Sequence, residues 1–139
     1  MDTPKPKVAV NVFVVRDGKL LLGKRKNTVG AGDWGLPGGH LEFMEHLAEG
    51  AKRELKEETG LETNSLSFLN MVNDSRMEDR THYVDINFIT RDFKGEPRVT
   101  EPDKCYEWKW FEFNELPKNI FLGAKKSIRA FFDKVSFLD

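Results

Sequence analysis

The feature that most constrains this chain is the stretch from Gly39 to Leu61, GHLEFMEHLAEGAKRELKEETGL, in which a glycine turn leads into a strongly helical segment closed by another glycine. From His46 onward the residues are mostly good helix formers, and Gly60 stands where a left-handed C-terminal cap is expected. The spacing therefore predicts a helix over 46–59. Leu47, Ala51 and Leu55 recur at i+4 steps and predict its buried stripe. Glu54, Glu57 and Glu58, at i, i+3 and i+4, put three carboxylates on or beside one face.

Like charges at that spacing cost about 0.2–0.5 kcal/mol per pair on an exposed helix. A divalent cation would reverse the sign, since carboxylate oxygens are the preferred ligands of Mg²⁺. Taken alone, RELKEE reads more simply as a solvated face on which Lys52 and Lys56 offset their acidic neighbours. The preceding residues 36–39, Leu-Pro-Gly-Gly, change that balance. They read as a turn whose bare backbone can approach a ligand closely. Glu45 opens the helix at the positive end of its macrodipole, where it can charge-balance a metal cluster without touching it. Arg53 offers a rigid fork to a neighbouring carboxylate.

These residues fill Gly-x5-Glu-x7-Arg-Glu-U-x-Glu-Glu-x-Gly-U, with U apolar, at every fixed position: Gly39, Glu45, Arg53, Glu54, Leu55, Glu57, Glu58, Gly60 and Leu61. The chain thus resembles the Nudix hydrolase family. Flanking runs extend the similarity to MutT-type nucleotide pyrophosphohydrolases of a eukaryotic branch that includes the human thiopurine-nucleotide hydrolase and a plant relative. They are residues 21–26, 29–32, 36–43, 82–84 and 101–105. Met44 departs from this branch, which commonly has glycine there, and Gly35 replaces a larger polar residue.

The resemblance implies an α/β/α sandwich with a mixed sheet, spanning 1–139 as a single Nudix domain. It implies hydrolysis of a nucleoside triphosphate, including oxidised or modified purine nucleotides, to monophosphate and pyrophosphate, and often a homodimer. Rival readings are another diphosphate substrate (a nucleotide sugar, a dinucleoside polyphosphate or a prenyl diphosphate) and, from a different class, a sensor module that binds a nucleotide without cleaving it. Sensors of that kind typically lose box glutamates, and here all are present.

Polyphosphate chemistry requires neutralised oxygens, an activated water and in-line attack, all of which Mg²⁺, with Mn²⁺ as the alternative, can supply. Glu54, Glu57 and Glu58 are the expected carboxylate ligands, with a carbonyl from Gly38 or Gly39. Family mechanism implies that a box glutamate also serves as base or orients the water, and Glu54 is the candidate. Glu101 is the candidate for a further acid from a later loop, with Asp103 behind it. Arg25 is expected to bind phosphate, ahead of Lys24 and Lys26.

Alternation along 83–87 puts Tyr83, Asp85 and Asn87 on one strand face. An acid in mid-strand asks for a partner, and the amino and imino donors of a guanine-like base would suit Asp85. Phe121 and Leu122 lie where the branch places base contacts, and with Trp34 they could stack on a base or serve simply as core. His40 and His82 match the branch and are expected to hydrogen-bond phosphate or pocket groups.

Elsewhere, 8–15 and 19–23 read as a hairpin about an Asp-Gly turn, 65–72 and 82–90 as longer strands separated by polar residues 73–80, 107–113 as a strand, and 121–135 as an amphipathic helix. Trp108 and Trp110 read as core. A length of 139 residues suits one compact core. A net charge of −1 gives no global field for polymeric nucleic acid. No apolar run approaches a membrane span, and the N-terminus lacks the apolar segment of a secretory signal, so the cytoplasm is the expected compartment. Cys105, the single cysteine, forms no internal disulfide and reads as a packed thiol.

Overall fold

The computed structural model describes residues 3–139. Strand β1 (Lys7–Arg16) and strand β2 (Lys19–Arg25) form the expected hairpin, with Arg16 paired to Lys19. Asp17 and Gly18 both take positive φ, 53° and 76°. A two-residue turn whose twist matches the flanking strands requires this of both positions, and Asp-Gly tolerates it.

Next come β3 (Trp34–Gly35), β4 (Gly38–His40), helix α1 (Leu47–Thr59), β5 (Ser67–Arg76), β6 (Thr81–Thr90), β7 (Cys105–Glu112), helix α2 (Leu122–Phe132) and β8 (Phe137–Leu138). The strand order is β3-β2-β1-β6-β5-β8, with β4 also on β1 and β7 also on β2. Pairings β1–β6 and β5–β8 are parallel and the others antiparallel, so the sheet is mixed, as expected.

Strand β1 explains the packing. Val10, Val12 and Val14 join Leu21, Phe88 and the α1 residues Ala51 and Leu55 in one core cluster. Phe13 and Val15 point the other way and join Leu20, Leu22, Ile89 and the α2 residue Ile128 in a second. Successive side chains of a strand face opposite sides, so a central strand covered by a helix on each side reads as an unbroken apolar run.

Four sequence expectations need correction. Residues 36–39 are not simply a turn: Pro37 accepts the Val12 N–H at 2.9 Å, and Gly38–His40 then runs as a strand against Asn11, Val10 and Ala9. The polar run 73–80 is not all connection, because β5 continues through Asn73, Asp74 and Arg76 before a turn over 77–80. Leu47 is 42% exposed and leaves the buried stripe to Gly50, Ala51, Leu55 and Thr59, since in the first turn of α1 it is Ala48 that packs against the cluster. Glu45 precedes the helix, with His46 at the N-cap. The Gly60 cap is as expected, with φ 80° and its N–H donated to the Lys56 carbonyl at 2.9 Å.

Candidate active site

Local sequence builds the acidic side of the site. Strand β4 passes so close to β1 and α1 that a Cβ on Gly38 would strike Asn11 and the Val10 carbonyl, and one on Gly39 would strike the Glu54 carboxylate. Glycine is therefore required at both positions by close approach. Arg53 forks onto Glu45, Nε to Oε2 at 2.7 Å and Nη2 to Oε1 at 3.0 Å. Its Nη1 also donates to Glu54 at 2.9 Å and to Glu57 at 3.3 Å, and Nη2 to the His40 carbonyl at 3.0 Å.

The Arg53 hydrogen bonds, helped by the Glu42 N–H, hold the Glu45 carboxyl down at about 2. Gly50, which sequence reading did not single out, faces Glu45: a Cβ there would lie 2.8 Å from Oε1. The signal was a lone glycine inside a helical run, which usually has a packing reason.

Glu58 is half-buried and accepts the Gly38 N–H at 3.0 Å. Burial, reinforced by Glu54 and Glu101, pushes its carboxyl up to about 8, and burial likewise raises Glu54. Glu54, Glu57, Glu58 and Glu101 all line one cavity of about 620 Å³, a volume in the range of small-molecule sites.

Arg25, Gly38, Gly39, His40, Asp85 and Phe121 line the same cavity, so residues scattered through the sequence meet there. His40 Nε2 lies 2.7 Å from the Tyr83 hydroxyl with the rings stacked. The Arg25 guanidinium sits over the Phe121 ring at 3.9 Å, and its Nε donates to the Val29 carbonyl at 3.0 Å.

Other candidates lie outside the cavity. Leu122 is 41% exposed and does not line the cavity, because one helical step beyond Phe121 turns it to solvent and Gly123 and Ala124 take the wall. Trp34 is buried core, edge-on to Phe111 at 4.8 Å, and cannot stack on a base. His82 bonds Asn73 Oδ1 at 2.7 Å and lies outside the cavity, because its strand neighbours Tyr83 and Asp85 point inward and alternation sends it the other way. Asp103 also lies outside the lining. Trp108, read as core, packs on the first cluster and also lines the cavity, its indole donating to the Glu58 carbonyl at 3.2 Å.

The NUDIX domain profile matches residues 5–131. The chain belongs to the Nudix family. An ADP-ribose pyrophosphatase of Methanocaldococcus jannaschii is 39% identical over 84% of this chain and 68% of its own length. An oxidized purine nucleoside triphosphate hydrolase of Danio rerio is 32% identical over 80% and 69%. The crystal structure of a MutT NUDIX hydrolase from Burkholderia pseudomallei superposes with a TM-score of 0.87 at 33% identity, covering 91% of this chain and 98% of that one.

This Nudix hydrolase has the donor set for the divalent ion that its family generally uses. Oxygen ligands of like charge gather beside a glycine cradle, and a cation would offset both the desolvation and the like-charge repulsion that raise Glu58. Among the described residues no three acids yet enclose a common point: Arg53 holds Glu54 and Glu57, and the Gly38 amide holds Glu58. No helix among the described residues is long and apolar enough to cross a membrane.

Proposed function

We propose that this Nudix hydrolase, acting through residues 1–139 as one domain, cleaves a nucleoside triphosphate, an oxidised or modified purine nucleotide, to monophosphate and pyrophosphate. The observation that carries the reading is a single cavity lined by the box glutamates and also by a buried acid, Asp85, suited to the donors of a base. The Danio rerio relative supports the substrate class.

Glu54, Glu57 and Glu58, with a carbonyl of Gly38 or Gly39 and with Glu101 from its loop, would hold Mg²⁺, or Mn²⁺ in its place. Bound there, the ion would neutralise phosphate oxygens and acidify a water. Arg53, anchored by Glu45, fixes the directions of Glu54 and Glu57 and is a positioning residue. Glu54 receives the proton of the attacking water. Arg25 and His40 hydrogen-bond phosphate oxygens, Phe121 walls the base, and Asp85 accepts from a guanine-like edge. The cytoplasm is the proposed compartment and a homodimer the proposed assembly.

The archaeal relative favours a second reading, ADP-ribose or another nucleoside diphosphate derivative. A prenyl diphosphate suits the cavity less, because an apolar chain would leave the buried Asp85 without a partner. A panel of nucleoside triphosphates, nucleotide sugars, dinucleoside polyphosphates and prenyl diphosphates, assayed with Mg²⁺ for pyrophosphate and phosphate, decides between them. Preferential release of pyrophosphate from purine triphosphates is expected, and turnover confined to another class would overturn the reading.

A further inference from the structure

We propose that Asp74 and Asp85, with Arg76, form a recognition head for a planar ring that presents two adjacent N–H donors beside a carbonyl, the hydrogen-bonding edge of guanine. The inference rests on the nucleotide reading above and adds to Asp85 two residues from β5 and a glycine of α2 that make the head complete.

The pairing of β5 with β6 sets the geometry. Asp74 faces Tyr83 and Val72 faces Asp85, so the two aspartates are diagonal neighbours on one face of the sheet. They are 2% and 5% exposed, and both line the cavity. The first turn of α2 crosses directly above them. A Cβ on Gly123 would lie 2.8 Å from Asp85 Oδ2 and 2.9 Å from Asp74 Oδ2, so both carboxylates aim an oxygen at the same place and glycine leaves it clear.

The group is paired only loosely within the fold, with Arg76 Nη1 3.8 Å from Asp79 Oδ2. Arg76 Nε stands 3.5 Å from Asp74 Oδ1, yet the two do not hydrogen-bond, and both atoms are buried without any partner. An orphaned buried polar atom costs about 1–3 kcal/mol, so Asp74 Oδ1 and Arg76 Nε, left in this condition on a cavity wall, call for a ligand. The two carboxylates supply acceptors and the guanidinium a donor, the complement of donor, donor and acceptor along a guanine edge. Arg76 also lies over the Phe121 ring at 4.7 Å, and Arg25 lies over it at 3.9 Å. The head is therefore continuous with flat cationic surfaces on which a ring can stack.

Burial, with the Asp74 charge added, pushes the Asp85 carboxyl up to about 7. A pair of N–H donors would offset the same strain that proton uptake offsets. A site built on such donors discriminates sharply against analogues lacking one, because its own groups are then left unpaired.

The test is calorimetric titration of the full chain, in EDTA, with guanosine, inosine and adenosine monophosphates. Inosine lacks the 2-amino donor and adenosine lacks the ring N–H. The wild type is expected to bind the guanosine nucleotide about tenfold more tightly than either. In Asp74→Asn and Asp85→Asn the preference should fall to within about twofold. Gly123→Ala should weaken the guanosine nucleotide selectively, and circular dichroism would establish that each variant is folded. Equal affinities in the wild type, or an unchanged preference in both folded asparagine variants, would overturn the proposal. Because these titrations need neither metal nor turnover, they are independent of hydrolysis. Base preference without triphosphate cleavage would sink only the proposed function, and cleavage without base preference only this inference.

Discussion

Both sides of the cavity set acids against an arginine, and they do so in opposite ways. On the α1 side the Arg53 guanidinium is saturated, with Glu45, Glu54, Glu57 and the His40 carbonyl all within hydrogen-bonding distance. On the β5–β6 side Arg76 stands 3.5 Å from Asp74 and 3.8 Å from Asp79, and Asp74 Oδ1 and Arg76 Nε stay buried without a hydrogen bond. The first arrangement fixes carboxylates before any ligand arrives, which lowers the reorganisation needed at the reacting phosphate. The second pairs its acids only loosely and leaves hydrogen-bonding capacity to be met from the cavity. In the proposed reading one side serves chemistry and the other selection.

The contrast is most easily broken at Glu57. Glu57→Gln should reduce turnover by about a hundredfold or more with little change in melting temperature, measured by steady-state kinetics beside calorimetry. Retained turnover would remove Glu57 from the metal-holding set. Arg53→Ala comes next. It strands the Glu45 carboxylate, so a loss of about 2 kcal/mol in urea unfolding should accompany a fall in kcat, and Arg53→Lys should rescue little because an ammonium lacks the fork.

On the selecting side, pH separates the two regions. The Asp85 carboxyl is raised from its ordinary range to about 7, so between pH 4 and 7 the folded protein keeps a proton that the unfolded chain has released. Stability contributed by that proton is present at low pH and is lost as pH rises through 7. Asp74, Arg76 and Lys126 are the charges that act on it. Asp85→Asn should flatten the melting profile from pH 4 to 7 and raise stability at pH 8 by roughly 1–2 kcal/mol, whereas a stabiliser of function would not behave so. The smallest effect concerns Met44, which is 83% exposed at φ 67°. A side chain in the left-handed region costs about 1 kcal/mol, so Met44→Gly should raise the unfolding free energy by up to that amount without altering base preference.

Much of the α1 side was legible in the chain. Arg53, Glu54, Glu57 and Glu58 lie within two helical turns, and Gly60 marks the end of the helix through its left-handed cap. The errors there concern packing: Leu47 carries the right periodicity but is exposed while Ala48 packs on the core, and Gly50 is explained only by the carboxylate that faces it. On the other side Asp85 stood out as an acid in mid-strand, but Asp74 and Arg76 read as loop because polar residues crowd the end of β5. Leu122 was misplaced by a single helical step, which turns a side chain about 100°.

The sequence by itself determined the Asp-Gly hairpin turn, the acidic helix and its cap, and the family to which the chain belongs. Each depends on spacings within a few residues, where backbone geometry converts position in the chain directly into position in space. Only the tertiary structure decided that Asp74 and Asp85 become diagonal neighbours, that Gly123 clears the space above them, and that Arg76 stands beside Asp74 without a hydrogen bond. Those outcomes depend on strand register and on where α2 crosses the sheet, and a shift of one residue in either would turn the same side chains to the opposite face.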